Sequence, residues 1–251
     1  MKLNWPLKKQ GGSVLMTKKL ILVLVEGKTD KAALALVFQK ILKLQNIDFE
    51  IVRTDMTADE NMTPKYIVQR IEKEVNDYLR RNSFIKKSDI WKVIQLIDTD
   101  GAFVDTQHIV ESEDGVTSYS DSQIMAKDRD RLIRRNISKR NIVYRLFTMD
   151  RLPSKYIYEI YYFSRNLEHV LHNLSNNLSD KEKDDLAFKT AIKYRDNPEE
   201  FLKFLHTEDI CVPGNYKETW QFIMLGGNSL QRHCNLSVFF DQLLNIQLTN
   251  E

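Results

Sequence analysis

The chain has little cysteine. Its 251 residues include two, Cys211 and Cys234, far apart and without a CxxC pair. That argues against a disulfide scaffold or a zinc site and fits a reduced, cytoplasmic setting. Long apolar runs are missing as well: none reaches the ~18–20 residues of a membrane-spanning helix, so no membrane association is expected. The opening stretch MKLNWPLKKQGGSV lacks the continuous apolar core of a signal peptide. Residues 1–16 read as a flexible N-terminal extension, with Met16 an alternative start. A strong charge of one sign is also absent. The formal net charge is +2, so any case for a polyanionic partner must rest on a local basic face. There is no internal repeat and no low-complexity run. The length suits one α/β domain with an appendage, or two small domains.

What is present is organised around LILVLVEGKTD at 20–30. Six aliphatic residues end abruptly in Glu26. A continuous apolar run of this length suits a strand buried on both faces, as in a parallel sheet. Glu26 then sits at the carboxyl end of the strand, where ligands of open α/β sheets gather. Gly27 leaves the acid uncrowded. Thr29 and Asp30 offer side-chain oxygens for the start of a helix, whose apolar face holds Leu34, Phe38, Ile41 and Leu42.

A second unit matches the first. Residues 93–97 are apolar apart from Gln95 and end in Asp98-Thr99-Asp100-Gly101. In extended backbone, residues two apart point to one side, so Asp98 and Asp100 converge. If the two strands are neighbours, Glu26 joins them. Three carboxylates in one place repel one another, and a divalent cation relieves the repulsion. Hard oxygen ligands without sulfur favour Mg2+ or Mn2+.

VEGKTD followed by a strand and DTDG resembles the TOPRIM domain, the catalytic fold of type IA topoisomerases, primases and OLD-type nucleases. That family carries Glu-Gly after its first strand and Asp-x-Asp after a later one, here Glu26-Gly27 and Asp98-x-Asp100. The resemblance covers roughly residues 18–103 and extends toward 172. The strand-like segment 156–163, followed by Ser164-Arg165-Asn166-Leu167-Glu168, is similar to the C-terminal part of RloB-like TOPRIM proteins. Leucine replaces their aromatic residue, and the tryptophan expected next is absent. The resemblance implies a divalent-metal-dependent nuclease acting on RNA or DNA. Glu26, Asp98, Asp100 and Lys28 would be catalytic. Glu26, Asp98 and Asp100 would hold metal, with Glu168 as a further ligand or orienting base. It also implies an effector role in bacterial phage defence or abortive infection, commonly with an ABC-class ATPase partner. A homodimer stays open.

The rest of the chain supports an α/β class: a TOPRIM-like, Rossmannoid, mostly parallel sheet with helices on both faces, over 17–178, and a helical C-terminal region over 179–251. Residues 49–53 read as a strand, 54–63 as a polar loop, and 66–81 as a helix opened by Pro64. Residues 104–122 read as loop, and 142–147 as a further strand. Between them lies a basic stretch, 125–140, with Arg131, Arg134, Arg135, Lys139 and Arg140. These are the candidate nucleic-acid contacts. The alternative is a solvated helix face, since Asp128 and Asp130 are interleaved. For Glu168 the alternative is a first-turn glutamate favoured by the helix dipole.

Other motifs compete less well. Gly27-Lys28-Thr29 lacks the upstream glycine of a phosphate-binding loop, because Leu22 stands there. DTDG opens like a calcium loop, but Ala102 and Val104 are apolar where ligands are needed. Arg165 and His172, with six residues between them, resemble the RNase motif of HEPN domains, which act without metal. His169 and His172 at i, i+3 suit a shared metal or ordinary packing. Two other functional classes therefore stand beside the metal-dependent nuclease: a HEPN-like RNase using Arg165 and His172, and a non-catalytic metal- or nucleic-acid-binding module.

Overall fold

The computed structural model describes residues 19–44, 47–53, 62–174 and 177–248. The expected N-terminal extension and most of the expected polar loop at 54–63 lie outside them. The first strand, β1 (Leu20–Val25), leads to helix α1 (Lys28–Leu44) and strand β2 (Asp48–Arg53). Helix α2 (Pro64–Arg81) and strand β3 (Ile90–Asp98) follow. Thr63 caps α2 through its hydroxyl, and Pro64 occupies the first turn, where its missing N–H costs nothing.

Strands β1, β2 and β3 join a later strand, β7 (Ile157–Phe163), in one four-stranded sheet of order β2-β1-β3-β7. Every neighbouring pair is parallel. The α/β class and the parallel sheet are as the sequence predicts. All six residues of β1 are buried, and they alternate between two cores. Ile21, Val23 and Val25 pack with Leu34, Phe38 and Ile41 of α1. Leu20, Leu22 and Leu24 pack with Ile67, Ile71 and Val75 of α2. This two-sided burial is why the strand reads as a continuous apolar run rather than an alternating one.

Two expectations are corrected. Residues 104–122 are not all loop. Strands β4 (Ile109–Glu111), β5 (Ser118–Tyr119) and β6 (Ile124–Ala126) form a small second sheet of order β4-β6-β5. Residues 142–147 are not a strand but the last part of helix α3 (Arg129–Phe147). The β-branched Ile142 and Val143 favour a strand locally, but the buried face of α3 runs Leu132, Asn136, Lys139, Ile142, Val143 and Leu146. That helical period is hidden in the sequence because two of its members are polar.

After β7 comes a short helix, α4 (Leu167–His172). Then come α5 (Asp180–Arg195), α6 (Pro198–Leu205), α7 (Tyr216–Ile223) and α8 (Leu236–Leu248). Helices α5, α6 and α8 share the core of α1, while Trp220 and Ile223 of α7 join the opposite core. The C-terminal helices therefore complete both faces of the sheet. They also close its edge. Ile160 N–H donates to the Tyr216 hydroxyl at 3.1 Å, Tyr162 N–H to Asn235 Oδ1 at 2.8 Å, and Ser164 N–H to the His233 carbonyl at 2.9 Å. Trp220 Nε1 returns a bond to the Ile160 carbonyl at 3.2 Å. Side chains and loop backbone thus satisfy an edge that would otherwise invite another strand. Among the described residues, no helix is long and apolar enough to cross a membrane.

Candidate carboxylate site

Glu26 follows the last residue of β1, and Asp98 ends β3. Because these strands are parallel neighbours, both acids emerge at the same sheet edge. Beyond β3 the pairing with β7 continues: Thr99 N–H donates to the Phe163 carbonyl at 3.0 Å and Asp100 N–H to the Arg165 carbonyl at 2.8 Å. Asp100 departs from the extended backbone that the sequence suggests. Its φ is 46°, in the left-handed region that aspartate tolerates better than most residues. A turn closed by Ala102 N–H to the Thr99 carbonyl at 2.9 Å follows. Gly101 is required by close approach. A Cβ there would lie 2.4 Å from Asn136 Nδ2 and 2.6 Å from Ile124 Cδ1.

The acids gather around an ammonium. Lys139, 3% exposed, reaches from the buried face of α3 to within 2.6 Å of Asp100 Oδ2 and 3.8 Å of Glu26 Oε2. Burial alone would lower the Lys139 pKa, but the charges of Asp100, Glu26 and Asp98 outweigh it and hold the ammonium protonated well above its ordinary range. Asp98 goes the other way from an ordinary carboxylate. Burial first, then the charges of Asp30, Glu26 and Asp100, push its pKa well above the usual value. For Asp100, burial is opposed by Lys139 and Arg135, and the net direction is downward. Two neighbouring acids are thus pushed in opposite directions, Asp98 by burial and like charge and Asp100 by the cations beside it.

Sequence reading missed Asp30 as a member of this group. It assigned Asp30 to helix-start chemistry, and Asp30 does accept the Gly27 N–H at 2.7 Å. Its charge nevertheless bears on Asp98 more than that of any other acid. The available signal was its spacing: four residues after Glu26, in the first turn of α1, it faces back to the strand end. Gly27 helps here too, since a Cβ would stand 3.1 Å from Asp30 Oδ2.

The other expected residues divide. Lys28 is exposed and ion-paired with Asp184 of α5 at 3.0 Å, directed toward the C-terminal helices. Glu168 is buried in the first turn of α4 and lines a small cavity with Thr29, His172 and Lys183. It is not among the acids that weigh most on Asp98. Lys139 does not lie on a solvated face. It is buried within the cluster, because the helical period of α3 turns it inward. Arg140 donates to the Ala102 and Val104 carbonyls at 2.7 and 3.2 Å and so braces the loop after the site. Arg135 is half-buried, donates to the Tyr119 hydroxyl at 3.3 Å and lends its charge to Asp100. Arg131 and Arg134 are exposed. The basic stretch is thus part strut and part surface.

Arg165 and His172 do not meet. The Arg165 guanidinium is buried and donates to the Leu230 carbonyl at 2.9 Å and Asp121 Oδ1 at 2.8 Å. His172 Nε2 lies 3.0 Å from Thr190 Oγ1 on α5. His169 donates through Nδ1 to the Ser164 carbonyl at 2.9 Å, and burial lowers its pKa to about 4.

Among the described residues, no group of three or more His, Cys, Asp or Glu side chains is arranged to hold a metal ion. The donor chemistry fits a hard cation all the same. Glu26, Asp30, Asp98 and Asp100 are all oxygen donors, the donor type that hard divalent cations take. Compared with family models, curated proteins and solved structures, the chain finds no match.

Proposed function

We propose that this chain is a divalent-metal-dependent nuclease with a TOPRIM-like catalytic core. The observation that carries the reading is the convergence of Glu26, Asp30, Asp98 and Asp100 at the carboxyl ends of two neighbouring parallel strands. Glu26, Asp98 and Asp100 would hold Mg2+ or Mn2+, with Asp30 as a further ligand. When bound, such an ion supplies charge neutralisation at a phosphate and lowers the pKa of a coordinated water. The chain's own groups do the remainder. Glu26, partly open to solvent, is the acid suited to accept a proton from water. Lys139 donates to Asp100 Oδ2 at 2.6 Å and sets a positive charge beside the acids. Arg135, whose charge bears on Asp100, and the exposed Arg131 and Arg134 of the same helix offer positive charge to a phosphate backbone.

The TOPRIM resemblance extends the proposal to an effector of bacterial phage defence, cytoplasmic and paired with an ABC-class ATPase. The test is cleavage of RNA and DNA by the purified chain with Mg2+ or Mn2+, with and without such an ATPase. Metal-dependent cleavage that EDTA abolishes supports the reading. No cleavage of either polymer with partner and metal present would favour a binding module.

A further inference from the structure

One cation already touches both Glu26 and Asp100, and it belongs to the protein. The Lys139 ammonium lies 2.6 Å from one carboxylate and 3.8 Å from the other while its side chain is almost fully enclosed. A divalent ion bridging the same two acids would need the same space. A unit charge and a doubly charged ion about 4 Å apart repel strongly in a partly buried site. The two cations therefore do not occupy it together. Lysine is suited to withdrawal, because its charge rides on a flexible four-carbon stem.

We infer that Lys139 is a resident cation that competes with the divalent metal for Glu26 and Asp100 and so sets the metal affinity of the site. The inference rests on the metal-dependent reading of that site. It accounts for acids that, among the described residues, gather around an ammonium rather than stand as a coordination shell. A lysine that only braced the fold would act in the opposite direction, because removing it would loosen the acids and weaken metal binding.

The experiment is a Mn2+ titration of the full chain, with free ion read by electron paramagnetic resonance. The proteins are wild type, Lys139→Met, Lys139→Arg and Asp100→Asn. Removing the competing charge should tighten Mn2+ binding about tenfold or more in Lys139→Met. Lys139→Arg, which keeps the charge, should stay near wild type, and Asp100→Asn should lose binding. Equal or weaker binding by a folded Lys139→Met, with Asp100→Asn still defective, would overturn the competition and leave the metal site standing. If neither wild type nor Lys139→Met binds Mn2+, the metal reading itself fails. Should Lys139→Met not fold, amine labelling of the wild type decides. Saturating Mn2+ should raise modification of Lys139 several-fold, and unchanged modification with bound Mn2+ overturns the inference.

Discussion

Lys139 Nζ and Asp100 Oδ2 stand 2.6 Å apart, joining the middle of α3 to the turn after β3. The lysine is 3% exposed and the aspartate side chain 31%, so an enclosed ammonium meets a carboxylate that still reaches solvent. This contact fixes a residue whose backbone is already in the left-handed region. Removing one partner of an enclosed pair leaves the other charge poorly compensated.

Asp100→Asn should therefore cost stability, about 1–3 kcal/mol, because Glu26 still offers Lys139 partial compensation. The same change should remove most metal-dependent cleavage, since an amide is a weaker ligand. Urea unfolding with a parallel nuclease assay checks both. A variant as stable and as active as wild type would refute the role given to this pair.

Asp98 predicts a pH dependence of its own. Its folded pKa is raised, by burial and by Asp30, Glu26 and Asp100. The folded chain thus keeps a proton that the unfolded chain releases. Its contribution is fully present below the unfolded value of about 4 and is lost as pH rises toward the raised folded value. In metal-free protein, Asp98→Asn should become more stable relative to wild type as pH climbs through that window, by up to ~1.4 kcal/mol per pH unit. Unfolding curves from pH 4 to 8 on both proteins measure the difference. A difference independent of pH would show that Asp98 titrates normally.

Gly101→Ala should disrupt the site by steric means. Its Cβ would stand 2.4 Å from Asn136 Nδ2 and 2.6 Å from Ile124 Cδ1. Overpacking of this kind costs about 1–3 kcal/mol. Trimming the neighbour, in Gly101→Ala with Asn136→Ala, should restore part of the loss. Thermal melts of the single and double variants check it, and additive losses would exclude the contact as the cause.

Arg165→Ala should act on the fold. The guanidinium ties the end of β7 to the Leu230 carbonyl and to Asp121, and its loss leaves a buried carbonyl without its donor. The expected cost is about 2–4 kcal/mol, whereas His172→Ala should cost under ~1.5 kcal/mol. Cleavage per folded molecule should change little in either. RNA cleavage that survives EDTA and vanishes with His172→Ala would instead revive the metal-free mechanism.

The edge of β7 offers a last check. Asn235→Ala removes the acceptor for Tyr162 N–H, and a buried donor left unpaired costs about 1–3 kcal/mol. Hydrogen exchange at Tyr162 should accelerate by a factor of ten or more, while the β1 amides stay protected. Unchanged protection at Tyr162 would mean that another group closes the edge.

The order of strands and helices through β3 was written locally. Leu20–Val25 is apolar at every position because both faces are covered, and Glu26 and Asp98 stand out because an acid ends each apolar run. The parallel pairing of β1 with β3 then follows from the βαβ pattern. Other features depended on contacts that no local pattern carries. Lys139 reads as one of several surface cations, and only the rotation of α3 against the sheet turns it toward Asp100. Asp30 reads as a helix-start residue until the pairing of β1 with β3 sets the start of α1 near the end of β3 and brings its charge onto Asp98. Ile142 and Val143 favour a strand by their branching, yet burial against α2 and β7 selects the helix. A C-terminal region that reads as an appendage instead supplies Tyr216, Trp220 and Asn235 to a sheet edge more than fifty residues earlier in the chain. Periodicity reports which face of an element is apolar. What that face meets is settled by long-range packing, and at this site the meeting decides which charges share one space.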